Sequence, residues 1–458
     1  MISRRRFVQA TLATTLVSSL PSFVRADGLA TRPGWETFKN GPNFESFVDA
    51  IGTMRANKNV NSVSSWDYWA NIHRDHCPHG MPYFLAWHRG YVRLFEMQLK
   101  KVAKNSDLQL PYWDYYTNPN MPEEFTNNKY PSLYIDSRKS NNVRKALTLD
   151  PFNDEIKNFQ RGQPDAFESS VESKPHNPVH NLIGGFMPTM LSPLDPIFWL
   201  HHGNIDRLWA AWVRADNGRK MPTSSDSYWG SSFNYGPSGT LPRMVAISTE
   251  GLSYTYDNLS MPTQLPSTPT PPRPQVRSLK AMPSKAPGAR VTALGGGDEL
   301  SLDQNSVTVE IPVAKKEQPR VRSLIANQLS AKSVYTSVSV VLDRLSLTEV
   351  GAKGGYYYNV YLDLPEKPGA QLDGDAYLLG TLGPFEIAAR EHHAEAALGA
   401  EDPIQLVFPA TEVLQHIAPH DVDKLSVSFV RVDGDSPVNG TVIKVGEVRV
   451  EASNAMPQ

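Results

Sequence analysis

Cysteine is almost absent. In 458 residues there is one, Cys77, so no intrachain disulfide can staple the fold, and stability must come from core packing and any bound metal. A charge excess is missing as well: 45 basic residues nearly balance 47 acidic ones, which removes the usual signature of nucleic-acid or anionic-membrane binding. The expected partners are therefore small molecules, with no nucleic acid and no membrane. Long apolar runs are also lacking, since none reaches the roughly 20 residues that a membrane-spanning helix needs. The weakly apolar stretch from Ala10 to Phe23 follows Arg4-Arg5-Arg6-Phe7 and precedes Val24-Arg25-Ala26. A basic start, apolar middle and small-residue end make residues 1–26 an export signal of the twin-arginine kind, so a periplasmic or secreted location is expected.

Histidine, by contrast, is concentrated. Eight of the twelve histidines fall between His73 and His202, where an even spread would place about three, and core packing does not call for imidazoles. They form an upstream set, His73, His79 and His88, and a downstream set, His176, His180 and His202. His176 and His180 are four apart, the spacing at which a helix projects two rings from one face. Two neighbours compete on spacing alone, His76 with His73 and His201 with His202. Neither set has a carboxylate at ligand spacing, which disfavours hydrolytic zinc and non-haem iron. An all-imidazole set leaves the site neutral and suits a pair of copper ions that bind dioxygen together.

The rest of the chain divides by composition. Residues 27–262 hold all nine tryptophans and the amphipathic stretches, and are expected to be a mainly α catalytic domain. Helices are predicted from about His88 to Lys101 and from Asp195-Pro196 onward, where Phe198, Leu200, Ile205, Leu208, Trp209 and Trp212 supply an apolar face. Residues 263–289 are proline-rich and read as an extended linker without a core. In 290–458 about seven runs rich in β-branched and aromatic residues, 306–313, 335–347, 356–364, 376–386, 404–408, 425–432 and 441–450, predict an all-β sandwich or barrel.

The run from His73 through Cys77-Pro78-His79 to His88 and Glu96, the segment Leu110-Pro111-Tyr112-Trp113-Asp114, and the run from Pro175-His176-Asn177 through His180 to Asp195-Pro196-Ile197-Phe198-Trp199-Leu200-His201-His202 and Trp209 together resemble the tyrosinase family. The resemblance implies a helical bundle around a dicopper centre of the type-3 kind, with His73, His79 and His88 on one copper ion and His176, His180 and His202 on the other. It makes His76 and His201 neighbours. It further implies a thioether between Cys77 and His79, and a glutamate, Glu172 or else Glu168, that with Asn177 holds a water able to take a phenol's proton. Phe198 is expected against His202, Asp206 either orients the copper shell or pairs with a surface arginine, and Met190 lies near the mouth. Tyr254-Thr255-Tyr256 is similar to the motif closing the plant polyphenol oxidase core. Residues 341–347, 358–362 and 379–382 resemble that enzyme's C-terminal domain, which shields the copper site. His392, His393, His416 and His420 are read as solvent-facing.

The function expected from these readings is oxidation of phenols by O2, ortho-hydroxylating monophenols and oxidising o-diphenols to o-quinones. Latency is expected until the C-terminal domain is displaced or cleaved by an activating protease. The alternatives are a catechol or o-aminophenol oxidase without monophenolase activity and a haemocyanin-like oxygen carrier. A zinc hydrolase is disfavoured, because no glutamate lies between His176 and His180 to act as base.

Overall fold

The computed structural model describes residues 28–265, 275–278, 291–297, 299–325, 336–364, 374–398, 403–417 and 422–454. The expected export signal, most of the expected linker and His420 lie outside these residues. Among the described residues no helix is long and apolar enough to cross a membrane.

The first unit is helical. A short strand β1 (Ala30–Arg32) precedes helices α1 (Phe44–Ala56), α2 (Trp66–His76), α3 (Phe84–Ala103), α4 (Asn177–Ile183) and α5 (Ile197–Arg214), and strand β2 (Tyr254–Tyr256) returns to pair in parallel with β1. Helix α3 starts one turn earlier than the periodicity predicts, because Phe84 and Leu85 are themselves buried and extend its apolar face. Helix α5 begins where Asp195-Pro196 predicts, and the Asp195 carboxylate accepts the Ile197 backbone N–H at 3.0 Å, satisfying one of the donors a helix start leaves open.

A buried ionic knot ties this unit together. Arg32 from β1 pairs with Glu96 of α3 at 2.9 Å, Arg93 reaches the same carboxylate at 2.7 Å, and Arg89 meets Asp206 of α5 at 2.5 Å. The hydroxyls of Tyr254 and Tyr256 donate to Asp206 at 2.5 and 2.6 Å. The expected alternatives for Asp206 are thus corrected: its partners are buried arginine and tyrosine rather than a copper ligand or a surface arginine. Because every charge has an opposite partner, the knot fixes α3 against α5, the two helices that carry His88 and His202.

The second unit is a sandwich of two five-membered layers around one mainly aliphatic core. The first layer runs β9 (Leu378–Leu382), β8 (Tyr356–Leu362), β11 (Lys424–Asp433), β6 (Val307–Pro312) and β3 (Gln275–Ser278). The second runs β10 (Leu406–Pro409), β7 (Ser337–Leu347), β12 (Ile443–Ser453) and β4 (Val291–Gly297), with β5 (Leu300–Leu302) also on β12. Three helices interleave: α6 (Gln318–Ile325), α7 (Pro384–Leu398) and α8 (Thr411–Ile417). Two expectations are corrected. The predicted strand 376–386 ends at Leu382, since Gly383-Pro384 breaks it and the alanine- and glutamate-rich run beyond starts a helix with proline at its first position. The stretch 263–289 is not wholly extended linker, because 275–278 pairs in parallel with β6 as an edge strand.

Candidate metal centre

Six histidines converge in the helical unit from six places in the fold. His73 comes from the last turn of α2, His79 from the loop after it, and His88 from the first turns of α3. His176 ends a kinked turn, Glu172–His176, that contains Pro175; His180 lies in α4 and His202 in α5. His73, His79 and His88 form one group of mutually close ligand atoms, and His176, His180, His201 and His202 form another, each spanning no more than 4.8 Å. The two groups abut, since the His88 and His202 rings stack at 4.5 Å.

The hydrogen bonds fix which nitrogen of most of these rings is free. The Nδ1 atoms of His73, His88 and His180 donate to the backbone carbonyls of Met190, Phe84 and Met187 at 2.7, 2.8 and 2.7 Å. His176 Nδ1 donates to the side-chain oxygen of Asn177 at 2.8 Å. A carbonyl can only accept, so these rings carry hydrogen on Nδ1 and leave a bare Nε2 lone pair. The Nε2 atoms of His73, His79, His88 and His180 are buried and have no partner, while those of His176 and His202 sit 3.3 Å apart. Each buried nitrogen left unpaired costs about 1–3 kcal/mol, a cost that makes sense where a cation completes the set.

Burial also sets the charge. It lowers His73 and His180 to about 3 and pushes the other four well below the ordinary imidazole value, with neighbouring imidazoles adding to the shift in those four. The rings are therefore neutral, the form that binds a transition metal. The donor set thus fits two copper ions, three imidazoles to each.

The competing histidines separate. His76 is half-buried and outside both groups, whereas His201 is fully buried within the downstream group, its ring 5.2 Å from His176 and 5.8 Å from Tyr115. His202, stacked on His88, is the one that faces the upstream triad. Phe198 lies 4.2 Å from His202 and 5.1 Å from His73, so its ring packs on both groups. Met190 is buried, and what it gives the site is its carbonyl. Cys77 Sγ stands 2.9 Å from His79 Nδ1.

Glu172 is buried; its carboxylate accepts the Gly80 backbone N–H at 2.6 Å and pairs with Arg161. Burial raises its pKa and Arg161 opposes the rise. Glu168 points elsewhere, to the backbone of Leu85 and Arg161, and burial holds it up at about 7 against the pull of Arg161. Glu172 and Asn177 share with His79 the wall of a cavity of about 270 Å³ between the two units.

The residue that sequence reasoning missed comes from the β unit. Phe385, at the start of α7, stacks on His180 at 4.3 Å and lies 4.9 Å from His79 and 5.5 Å from His176, covering the space between the two histidine groups. The signal was present in Gly383-Pro384-Phe385, a break followed by a ring. Of the C-terminal histidines, His416 is exposed as expected. His392 is half-buried. The His393 side chain lies outside the described residues.

A family profile described as the common central domain of tyrosinase matches residues 63–142 and 124–215. A tyrosinase of Hahella sp. (strain CCB-MM4) is 31% identical over 329 residues, an alignment that takes in 58% of this chain and 67% of that one. Hemocyanin units G and H of Sepia officinalis are 34% identical over 168 residues, but the match covers only 32% of this chain and 30% of theirs. The chloroplastic polyphenol oxidase of Malus domestica is 24% identical over 420 residues, with 80% of this chain and 66% of that one covered. Among solved structures, latent apple tyrosinase shares the fold through both units, with a TM-score of 0.51 at 19% identity over 94% of this chain and 99% of that one.

Proposed function

Because the chain belongs to the tyrosinase and polyphenol oxidase family of type-3 copper proteins, we propose that it oxidises phenols with O2, ortho-hydroxylating monophenols and converting o-diphenols to o-quinones, and that the β unit keeps it latent. The observation that carries the reading is the pair of adjoining buried imidazole groups, in which the Nε2 atoms of His73, His79, His88 and His180 have no partner and those of His176 and His202 meet only each other. Two copper ions held there, by His73, His79 and His88 and by His176, His180 and His202, would supply dioxygen binding and electron transfer from a phenol. The protein's own groups do the rest. The three backbone carbonyls and Asn177 hold four of the rings in one tautomer, and Phe198 packs against the rings to keep water out. Glu172, with Asn177 beside it, is placed on the cavity wall to hold a water that accepts the phenol proton; Arg161 sets how readily its carboxylate does so. The short separation of Cys77 and His79 supports a thioether, which intact-mass analysis reads as a loss of two hydrogens.

Latency rests on Phe385, whose ring occupies the place a substrate ring needs. Oxygen uptake with tyrosine and with catechol, measured on the full chain and again after cleavage in 263–289 under dilute urea to displace the β unit, tests the whole reading. Uptake only in the second state is expected. Inertness in both states would favour an oxygen carrier, and elemental analysis giving one metal per chain, or no copper, would overturn the assignment. The basic, apolar N-terminal segment supports export through the twin-arginine route, checked by locating the mature chain in the cell.

A further inference from the structure

The contact between the two units is polar where it borders the metal centre. Asn181, next in sequence to His180, has its side-chain amide bonded on both sides by the β unit: Oδ1 accepts the Phe385 backbone N–H at 2.8 Å, and Nδ2 donates to Glu386 at 2.8 Å. Its own backbone carbonyl accepts the Gly355 N–H at 2.8 Å. The other oxygen of Glu386 accepts the Thr381 hydroxyl at 2.8 Å. Gly383 lies so close that a Cβ there would stand 2.3 Å from Asn181 Nδ2, so the turn leading to Phe385 fits this amide and nothing larger.

A second patch lies further from the metal centre. Asp435 accepts from the Ser140 hydroxyl at 2.9 Å and the Asn141 N–H at 2.8 Å, and Tyr357 donates to the Lys145 carbonyl at 2.6 Å. Tyr357, Phe385, Ala389 and Val432 of the β unit are packed into the apolar core of the helical unit. None of these contacts uses residues 263–289.

We propose that Asn181, Thr381 and Glu386 form a latch that fixes the Phe385 ring over the metal centre independently of the chain connection, so that a cut within 263–289 by itself leaves the site shut. The proposal rests on the shielding role given to the β unit above. Asn181 and Glu386 are positioning residues: they act through the ring they hold. Activation then requires an agent that breaks the latch, or a second cut that removes the turn 381–386.

The test uses the copper-loaded full chain carrying a specific protease site within 263–289. After cutting, gel filtration is expected to return both fragments in one peak, with less than a tenth of the o-diphenol oxidation seen once urea displaces the β unit. Cut Glu386→Ala is expected to gain at least tenfold in activity without urea, and Glu386→Gln, which keeps a hydrogen-bonding oxygen, to recover most of the latency. Hydrogen exchange at the Phe385 amide, read on the uncut chain and blind to turnover, is expected to accelerate at least tenfold in Glu386→Ala. Thr381→Val, which removes one bond of the latch, provides a second variant with a smaller acceleration, should Glu386→Ala not fold. Full activity of the cut wild-type chain without urea, or unchanged exchange in both variants, overturns the latch. If instead the uncut chain already oxidises catechol at the full rate, the shielding role is lost, while co-elution and exchange still report on the latch itself.

Discussion

The two units deal with buried polar groups in opposite ways. In the sandwich, among the described residues, only the Tyr356 hydroxyl and the Asn359 side-chain oxygen are buried without a partner, and the core is mainly aliphatic. In the helical unit such atoms occur at several places, but the densest group of them is on His73, His79, His88, His180, His201 and His202, and the core around that group is aromatic. A fold does not leave so many imidazole nitrogens dry unless something else completes them. The sandwich needs only to be stiff and to present one ring; the helical unit must hold six rings in register while keeping water away.

The largest effect that tests this contrast is at the centre itself. His180→Ala is expected to reduce bound copper from two ions per chain toward one and to lower o-diphenol oxidation by roughly 1000-fold, as loss of a metal ligand removes the ion that the chemistry depends on. Metal analysis beside turnover checks it. A variant that keeps both ions would show that His201, buried in the same group, has taken the vacant place, and would sharpen the assignment of ligands.

Next in size is the ionic knot. Asp206→Ala leaves Arg89 buried without its carboxylate and removes the acceptor of both the Tyr254 and Tyr256 hydroxyls, so a loss of about 3–5 kcal/mol is expected, measured by denaturant unfolding of the helical unit. A loss below about 1 kcal/mol would mean that the knot is not what fixes α3 against α5.

Much of this organisation was legible in the sequence because it is written in local patterns. Histidine spacing marked the two groups, Asp195-Pro196 marked the start of α5, and the alternation of β-branched residues marked most of the sandwich. The missing pieces are contacts between segments far apart in the chain. Nothing local says that the Met190 and Met187 carbonyls hold two of the rings, that Arg32 reaches Glu96, or that Phe385 crosses from one unit to cover the other. The helix 384–398 was missed for a simpler reason: it follows directly on a strand, and the apolar residues at their junction read as one run. Strand 275–278 was hidden by its surroundings, since proline flanking masks a short polar edge strand that only pairing with β6 reveals.

Acid separates the units by a smaller margin. Burial alone would raise Glu96, but Arg32 and Arg93 override it and hold the carboxyl at about 2, below the usual value of 4.5. A depressed carboxyl contributes stability in full above pH 4.5, and that contribution is lost as the pH falls through about 2. Such a depression corresponds to roughly 3 kcal/mol. Acid unfolding of the helical unit between pH 4.5 and 2 is therefore expected to weaken in Glu96→Gln, whose stability is lower at pH 7 but flatter with pH. Equal slopes for variant and wild type would remove Glu96 from the account.

The smallest expected effect lies in the sandwich. Tyr356 is fully buried and its hydroxyl has no partner, while its ring carries the Arg431 guanidinium at 4.0 Å. Tyr356→Phe keeps the ring and that cation–π contact and removes only the unpaired hydroxyl, so stability should change by no more than about 0.5 kcal/mol, with a gain as reasonable as a loss. The same logic applied to the metal centre gives the opposite answer, because there the partnerless atoms await an ion and removing one abolishes its binding. A loss above about 2 kcal/mol in Tyr356→Phe would mean that this hydroxyl is paired through water, and the contrast between a sandwich built for stiffness and a helical unit built around dry nitrogens would narrow to the six histidines alone.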